Sequence, residues 1–301
     1  MNKKNILVLG VSGMLGSTLI RHLSGDDNLD VYGTVRDKSK IPFFSPCIQK
    51  KITCMSIDSK NLESLERIFY EIKPDYVINC IGIIKQSPDA KARKIAIEIN
   101  ALLPHLIAEF SSQYRAKLIH ISTDCVFSGT KGYYREFDES DAYDIYGKSK
   151  FLGEVDNAEH LTLRTSIVGH ELNSSISLLE WFLAQKNEVS GYLRALYSGV
   201  TTLELAKIIQ NHILPAPNLN GLYHVSSKTI SKFDLLVLIN QIYKKNLKIK
   251  PENNFVMDRS LDSSYFQKVT GYIPTSWEDQ IVELYKFNLD NSINKEKNVQ
   301  R

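Results

Sequence analysis

Short apolar runs alternate with longer segments of helical periodicity along the first half of the chain. The runs are rich in valine and isoleucine and lie at residues 6–9, 31–35, 52–57, 76–80, 118–122 and 161–163. Strands that are apolar throughout are buried on both faces, and strands that alternate with helices form parallel sheets with right-handed crossovers. The pattern predicts an α/β fold built on a doubly wound parallel sheet, a Rossmann fold.

The alternation changes after residue 166. Three helical segments and one strand-like run follow, at 177–185, 202–213, 232–243 and 222–225. Ser231, and either Thr201 or Thr202, precede two of these helices and are suited to cap them, because a hydroxyl oxygen can accept from the first free backbone N–H groups. The chain therefore contains a smaller region appended to the first sheet.

These patterns divide the chain into three parts. We predict a first domain over residues 1–166, to which strands from later residues can contribute, and a smaller region over residues 167–289. Residues 290–301 are polar and lack periodicity, so we expect this tail to be frayed or disordered.

Composition and charge narrow the class of protein. The 301 residues are 43% hydrophobic and 24% charged with a net charge of +3, which is typical of a globular protein and gives no basic face for nucleic acid. No apolar run reaches the roughly 18 residues that span a bilayer, and glycines interrupt the first one, so we expect a cytoplasmic protein without a signal peptide. The four cysteines and seven histidines lack ligand spacing, which predicts reduced thiols and no metal.

The first apolar run breaks into glycines and then enters a helix. Its spacing is Gly-x-x-Gly-x-x-Gly. Glycines there permit a tight turn and let the backbone approach a pyrophosphate, while the helix N-terminus supplies N–H donors. We predict a dinucleotide-binding turn formed by Gly10, Ser12, Gly13, Met14, Leu15 and Gly16.

Residues after the next two strands bear on the choice of dinucleotide. Arg36 stands where an acidic residue would hold the adenosine ribose 2′-hydroxyl of NADH. An arginine suits a 2′-phosphate, so NADPH is favoured, with NADH as the alternative. Asp58, after the third strand, is placed to accept from the adenine amino group, although an ordinary turn aspartate is equally compatible with its position.

Candidate catalytic residues lie further along the chain. Tyr146 and Lys150 are four residues apart and share a helix face. A cation beside a phenol favours the phenolate and brings proton exchange closer to neutral pH. As a general acid, Tyr146 would protonate a reduced carbonyl oxygen, an effect of about 10²- to 10⁴-fold. Thr123, at the end of a strand, is predicted to hydrogen-bond that oxygen, with Ser122 as its competitor and a strand-end cap as the alternative role.

Together these motifs resemble the extended short-chain dehydrogenase/reductase family and, within it, the dTDP-4-dehydrorhamnose reductases. The resemblance covers most of the chain and is carried by the glycine turn and by residues 122–129, 146–154 and 164–166. It implies reduction of the 4-keto group of a nucleotide-linked 6-deoxy sugar, in deoxysugar and surface polysaccharide biosynthesis. It is compatible with a monomer and with a homodimer.

The resemblance also implies roles for particular residues. Lys150 would hold the nicotinamide ribose as well, Ile81 and Gly82 would line the cofactor, and the region after residue 166 would cover the sugar nucleotide. Substrate contacts are expected from Asp124, Val126, Phe127 and Ile167. Lys85, Arg194 and Tyr197 are further candidates for the diphosphate and base, although surface roles are equally compatible.

Two departures from the reductase pattern bear on the substrate, Ile167 and the run Gly199-Val200-Thr201, which stands where the related reductases have Gly-x-Pro-Thr. Where the related reductases carry a tryptophan after Arg-Thr-Ser, this chain has Ile167, whose smaller side chain leaves room for an N-acetyl group. A UDP-linked 2-acetamido-2,6-dideoxy-4-ketosugar is therefore a second candidate substrate. Related dehydratases carry an acidic residue after Thr-Asp, and Cys125 in that place disfavours dehydration.

Two other functions stay open. An epimerase would use the same tyrosine and cofactor on a sugar that rotates between two hydride transfers. A non-catalytic, dinucleotide-binding regulatory subunit is the other alternative, although such proteins commonly lose the tyrosine or the lysine that this chain retains.

Overall fold

The structure, a computed structural model, describes residues 3–57, 62–83, 92–172 and 174–299, with side chains as far as Asp290. The strands are β1 (Lys4–Leu9), β2 (Leu29–Val35), β3 (Ile52–Cys54), β4 (Tyr76–Asn79), β5 (Lys117–Thr123), β6 (Leu161–Thr165), β7 (Ile167–Val168), β8 (Glu188–Tyr192), β9 (Ala195–Tyr197), β10 (Val200–Thr201), β11 (Gly221–His224), β12 (Ile230–Ser231), β13 (Lys248–Glu252) and β14 (Met257–Asp258).

The α-helices are α1 (Met14–Leu23), α2 (Pro46–Gln49), α3 (Glu63–Ile72), α4 (Arg93–Ala96), α5 (Leu103–Gln113), α6 (Ile145–Leu152), α7 (Leu178–Ala184), α8 (Thr202–Ile208), α9 (Lys232–Ile242), α10 (Ser264–Thr270) and α11 (Trp277–Val299). Residues Ile97–Leu102 and Ile209–Ile213 form π-helical segments, and Lys38–Phe43 and Asp124–Val126 form 3₁₀ turns.

Seven parallel strands form the main sheet, in the order β11-β6-β5-β4-β1-β2-β3. The central strand β1 shows why helices cover the sheet on both faces. Ile6 and Val8 pack with α1 and α8, whereas Leu7 and Leu9 point the other way and pack with α3 and α5. Alternate side chains of one apolar run thus enter two cores. The predicted doubly wound parallel sheet is confirmed.

The main sheet includes a strand from the later part of the chain. β11 extends it beyond β6, with Gly221 opposite Leu161 and His224 opposite Arg164. Helix α8 covers α1, and the Thr18 and Thr202 hydroxyls join them at 3.0 Å. The rest of the later region has a core of its own, which includes Leu179, Phe182, Leu235, Leu236, Ile239, Trp277 and Ile281. The chain therefore enters the appended region, returns to the sheet, and leaves again.

Two predicted helix starts are present, and the tail differs from expectation. Thr201 Oγ1 accepts from Glu204 N at 3.1 Å, and Ser231 Oγ accepts from Asp234 N at 2.9 Å. The backbone of α11 continues to Val299, so the expected frayed or disordered tail from residue 290 is wrong there. No glycine or proline interrupts this helix. Within the ranges given above, no helix has the length and apolar character needed to cross a bilayer.

A buried ion pair anchors the chain after α6 to the sheet. Arg164 Nε and Nη2 donate to Glu154 Oε1 and Oε2 at 2.8 and 2.7 Å, and both side chains are about 5% exposed or less. Ser122 Oγ donates to Glu154 Oε1 at 2.6 Å. Because the carboxylate is held by two donors of one guanidinium, its direction is fixed. The pair therefore ties the end of α6 to β5 and β6.

Substitution of Glu154 by alanine should destabilise the fold. The Arg164 guanidinium would stay buried without its partner, so we expect the free energy of unfolding to fall by about 3–5 kcal/mol. Urea unfolding followed by circular dichroism measures the change. Asp156→Ala, at an exposed acid two residues away, is the control and should change stability by about 0.5 kcal/mol or less. Equal unfolding midpoints for the two variants would contradict this role.

Candidate active site

In the glycine turn between β1 and α1, backbone segments approach each other too closely for larger side chains. Gly10 has φ +83°, in the left-handed region, and a Cβ there would lie 3.1 Å from Ile81 Cγ1. A Cβ on Gly16 would lie 2.4 Å from the Gly10 carbonyl oxygen. The N-cap residue Gly13 has no side chain to cap α1, and the first turn of α1 has no acidic side chain. The free N–H groups of this turn are therefore suited to an anionic phosphate.

Other residues predicted to bind the cofactor lie around this turn. Arg36 is exposed directly after β2. Ser12 and Met14 are partly buried, whereas Leu15 is buried against the sheet. Asp58 lies outside the described residues. A guanidinium is thus available beside the glycine turn, and the side chain of Leu15 has a packing role.

Two asparagines hold the segment that faces Gly10. Asn79 Oδ1 accepts from Ile81 N at 3.0 Å, and Asn100 Oδ1 accepts from Ile83 N at 2.9 Å. Asn100 Nδ2 also donates to Ser149 Oγ of α6 at 3.3 Å. Asn100 was missed by the sequence analysis. It lies in the π-helical segment, a feature frequent at functional sites, but π-helical geometry leaves no local sequence pattern.

Helix α6 brings the predicted catalytic residues to the carboxyl end of β5. It begins after Asp144, whose carboxylate accepts from Gly147 N at 2.8 Å. The Tyr146 phenol faces the Thr123 side chain. One turn later, Lys150 Nζ donates to the Ile121 carbonyl oxygen at 2.7 Å. The spacing of Tyr146 and Lys150 therefore does place both against the strand that carries Thr123.

Burial governs the protonation of this pair. It raises the pKa of Tyr146 above its usual value, to which the Cys125 thiol adds, while the Thr123 hydrogen bond opposes it. Burial also lowers the pKa of Lys150 to about 8, with Glu154 and Cys80 opposing. Lys150 is not among the principal groups acting on the phenol, so the expected shift of Tyr146 towards the phenolate is not found. The phenol stays protonated at neutral pH, as a proton donor must.

The two strand-end hydroxyls point to opposite faces of the sheet, as neighbouring residues of a strand do. Ser122 is bonded to Glu154 and is separated from the phenol, whereas Thr123 faces Tyr146. Thr123 Oγ1 also accepts from Cys125 N at 3.1 Å and so caps the 3₁₀ turn. The capping role and the contact with Tyr146 are therefore both present in one side chain.

Two residues predicted to contact the substrate have buried side chains. Val126 and Phe127 are fully buried, and the Phe127 ring stacks on Tyr134 at 4.1 Å between centroids. Leu261 completes this cluster. Apolar side chains at these positions stabilise the loop behind the site. Asp124, the first residue of the 3₁₀ turn, keeps part of its surface open.

The remaining predicted substrate residues have different environments. Ile167 is partly buried in β7 and pairs with Val200. Arg194 is exposed in the turn between β8 and β9, whereas Tyr197 at the end of β9 is buried. Lys85 lies outside the described residues. The Arg194 side chain is thus open to solvent, whereas Ile167 and Tyr197 pack against other residues.

Two cations that the sequence analysis missed approach the site from the appended region. Arg259 Nε donates to the Phe127 carbonyl oxygen at 2.8 Å, and its Nη1 lies 3.5 Å from Cys125 Sγ. Lys232, the first residue of α9, holds its Nζ 3.8 Å from the Tyr197 ring centroid. Burial raises the pKa of Asp124, and the positive charges of Arg259 and Lys232 oppose that rise. Neither cation belongs to a sequence motif. Both are far from Asp124 in the sequence, and only folding brings them near it.

Comparisons with known proteins agree with this arrangement. The family model described as the RmlD substrate binding domain matches residues 4–288. A dTDP-4-dehydrorhamnose reductase from Salmonella typhimurium is 26% identical over 245 residues, 78% of this chain and 77% of that protein. A Bacillus subtilis protein named spore coat polysaccharide biosynthesis protein SpsK is 29% identical over 232 residues, 75% of this chain and 74% of its own length.

A solved structure has the same fold. The crystal structure of dTDP-4-dehydrorhamnose reductase from Bacillus anthracis, in complex with NADP, superposes with a TM-score of 0.76 at 25% identity. The match covers 94% of this chain and 99% of that one. The architecture described above is therefore that of a nucleotide-dependent reductase over nearly its whole length.

Alanine substitutions at two glycines of the turn should have separable effects. Gly16→Ala places a methyl group against the Gly10 carbonyl oxygen, and we expect it to lower the free energy of unfolding by about 1–3 kcal/mol. Gly13 has an extended backbone, and a Cβ there meets nothing closer than 3.4 Å, so Gly13→Ala should fold normally.

In Gly13→Ala the methyl group would stand between the first N–H groups of α1 and a pyrophosphate. We expect about a tenfold or greater loss of NADPH affinity, since one charge-assisted hydrogen bond contributes about 1.5–3 kcal/mol. Thermal unfolding without cofactor and NADPH titration of each variant measure the two effects. Wild-type NADPH affinity in Gly13→Ala would show that the cofactor does not approach this turn.

Proposed function

Since the chain belongs to the RmlD substrate-binding-domain family, we propose that it uses NADPH to reduce the 4-keto group of a nucleotide-linked 6-deoxy sugar. The family match confirms the resemblance to the dTDP-4-dehydrorhamnose reductases of the extended short-chain dehydrogenase/reductase family. The observation that carries the proposal is the meeting of Thr123, Tyr146 and Lys150 at the carboxyl end of β5. Ligands of open parallel sheets bind at this edge.

The residues around the glycine turn fit a dinucleotide phosphate. Free N–H groups at the start of α1 would bind the pyrophosphate, and Arg36 would meet the 2′-phosphate. Ile81 and Gly82 would line the cofactor, because the Ile81 side chain lies directly beside Gly10. NADPH supplies the hydride when it is bound. NADH stays the alternative cofactor.

The chain itself supplies the proton and the positioning. Tyr146 would donate its phenolic proton to the carbonyl oxygen, and the raised pKa of this phenol keeps the proton available at neutral pH. Thr123 would hydrogen-bond the same oxygen from the strand end. The Lys150 ammonium, fixed by the Ile121 carbonyl, would hold the nicotinamide ribose and stabilise the negative charge left on Tyr146.

Two sugar nucleotides are candidates for the substrate. The family relatives named above favour a dTDP-linked 4-keto-6-deoxy sugar. The partly buried Ile167, where the related reductases carry a tryptophan, favours a UDP-linked 2-acetamido-2,6-dideoxy-4-ketosugar. Either product would serve surface polysaccharide biosynthesis. The retained tyrosine, lysine and threonine favour a reductase over a regulatory subunit, whereas an epimerase would need the same three residues.

Removal of the Tyr146 hydroxyl tests the reductase directly. Tyr146→Phe should lower turnover by about 10²- to 10⁴-fold because the proton donor is lost, and it should leave NADPH affinity nearly unchanged. The assay follows NADPH oxidation with dTDP- and UDP-linked 4-keto-6-deoxy sugars generated in place by dehydratases. Tyr143→Phe removes a hydroxyl from an exposed ring three residues earlier and is the matched control.

Tyrosine-dependent NADPH consumption with one of the two sugars would establish the reductase and identify its nucleotide. If the wild-type chain binds NADPH tightly but consumes none with either sugar, the reductase proposal fails. An epimerase or a regulatory subunit would then be the better explanation.

The activity should depend on pH through Lys150. Burial lowers the pKa of this ammonium to about 8, so the charged form is present at neutral pH and is lost as the pH rises through about 8. We therefore expect kcat/KM to fall on the alkaline side of about pH 8. Lys150→Arg keeps the charge and should move this fall to higher pH, whatever its maximal rate. A wild-type profile that stays flat across this range would contradict the assignment.

A further inference from the structure

The Lys232 ammonium has no protein acceptor in the part of the chain that the structure describes. Its Nζ lies over the Tyr197 ring at 3.8 Å from the centroid, and no hydrogen bond or salt bridge joins it to another described residue. An ammonium carries three N–H donors. A face-on aromatic ring attracts the charge but accepts none of these donors in the way that an oxygen does.

Lys232 is partly buried where its ammonium lies over Tyr197. Burial lowers the pKa of Lys232 to about 8, while the neighbouring Asp124 and Cys125 oppose that shift. Tyr197 is itself only 4% exposed and packs on Trp277, so the platform beneath Nζ is rigid. The ring restrains the Lys232 ammonium, while its N–H donors stay available to an oxygen acceptor from a ligand.

The position of Lys232 indicates which part of a ligand it would meet. Asp124 feels the charge of Lys232, and its Oδ1 accepts from Thr123 Oγ1 at 3.2 Å. Thr123 in turn faces the Tyr146 phenol. Lys232 therefore lies near the groups that would react with the substrate.

We propose that the Lys232 ammonium donates a hydrogen bond to an oxygen of the sugar in the nucleotide-sugar substrate, and that this contact selects the sugar. This proposal rests on the proposed function, which supplies the class of ligand, a nucleotide sugar. A diphosphate oxygen has the same acceptor chemistry, so the test separates the two sources. The sugar is favoured because Asp124 links Lys232 to Thr123 and the phenol that would protonate the substrate.

Binding measurements with ligands that cannot be reduced test the contact without turnover. Calorimetric titrations in the presence of NADPH would measure the affinity for each nucleotide sugar and for its free nucleoside diphosphate. The ligands are UDP-N-acetylglucosamine and UDP-glucose, each compared with UDP, and dTDP-glucose, compared with dTDP. For Lys232→Met we expect about a 10- to 100-fold loss of affinity for the nucleotide sugar that the wild-type chain prefers. The affinity for the free nucleoside diphosphate should be unchanged. Lys232→Arg, which keeps the charge, should recover part of the loss.

Two controls separate ligand binding from a structural role. Lys228→Met removes an exposed lysine four residues earlier and should leave every affinity unchanged. The melting temperature of Lys232→Met without ligands should not fall, because the ammonium has no hydrogen bond to lose. A lower melting temperature with unchanged nucleotide-sugar affinity would mean that Lys232 is structural and would overturn the proposal.

The remaining outcomes are also distinct. An equal loss for the sugar nucleotide and for its free diphosphate would overturn the sugar assignment and move the contact to the diphosphate. Failure of the proposed function would be seen in the wild-type chain, as absence of turnover with the ketosugars. A wild-type chain that binds no nucleotide sugar at all would overturn both proposals.

Discussion

The buried pair of Glu154 and Arg164 fixes the part of the molecule on which the candidate site depends. It joins the chain after α6 to the ends of β5 and β6, and the Ser122 hydroxyl completes it. Tyr146 and Lys150 lie on α6, so their distance from Thr123 is set by how α6 is held against β5. Breaking a buried pair is strongly unfavourable, which makes this anchor stiff. A proton donor must be held within hydrogen-bond distance of its acceptor, about 2.6–3.2 Å, and such an anchor helps to fix that distance.

Burial has two separate consequences for the charged groups of the site. It favours the neutral phenol of Tyr146, which suits a general acid, and it brings the pKa of Lys150 and of Lys232 down to about 8. Both ammonium groups are therefore mostly charged at neutral pH, but each loses its proton when the pH rises only slightly above neutral. Each lysine also has a different restraint. Lys150 is bonded to a backbone carbonyl, whereas Lys232 rests on an aromatic ring and keeps its donors for a ligand.

The sequence predicted most of what depends on local pattern. The β1 run, the glycine turn and the four-residue spacing of Tyr146 and Lys150 each carry their own periodicity or steric requirement, and the structure has each of them. The burial of the Val126 and Phe127 side chains was not predicted, because a motif does not say which of its side chains point inward. The helical tail was missed because polar sequence without glycine or proline is compatible with either helix or coil. Asn100, Lys232 and Arg259 could not be predicted, since they reach the site only through long-range packing.

The origin of each group explains how one fold can serve several sugars. The proton donor and the glycine turn come from the first 166 residues, where backbone spacing and strand ends dictate their positions. Lys232 and Arg259 come from the appended region and lie near Asp124. Substitutions at α9 or in the loop after β14 can therefore alter the groups that meet the sugar without moving Thr123, Tyr146 or Lys150. Discrimination between sugars then depends on whether the Lys232 ammonium finds an acceptor, because a donor that a ligand covers without pairing it penalises the wrong ligand more than a missing apolar contact does.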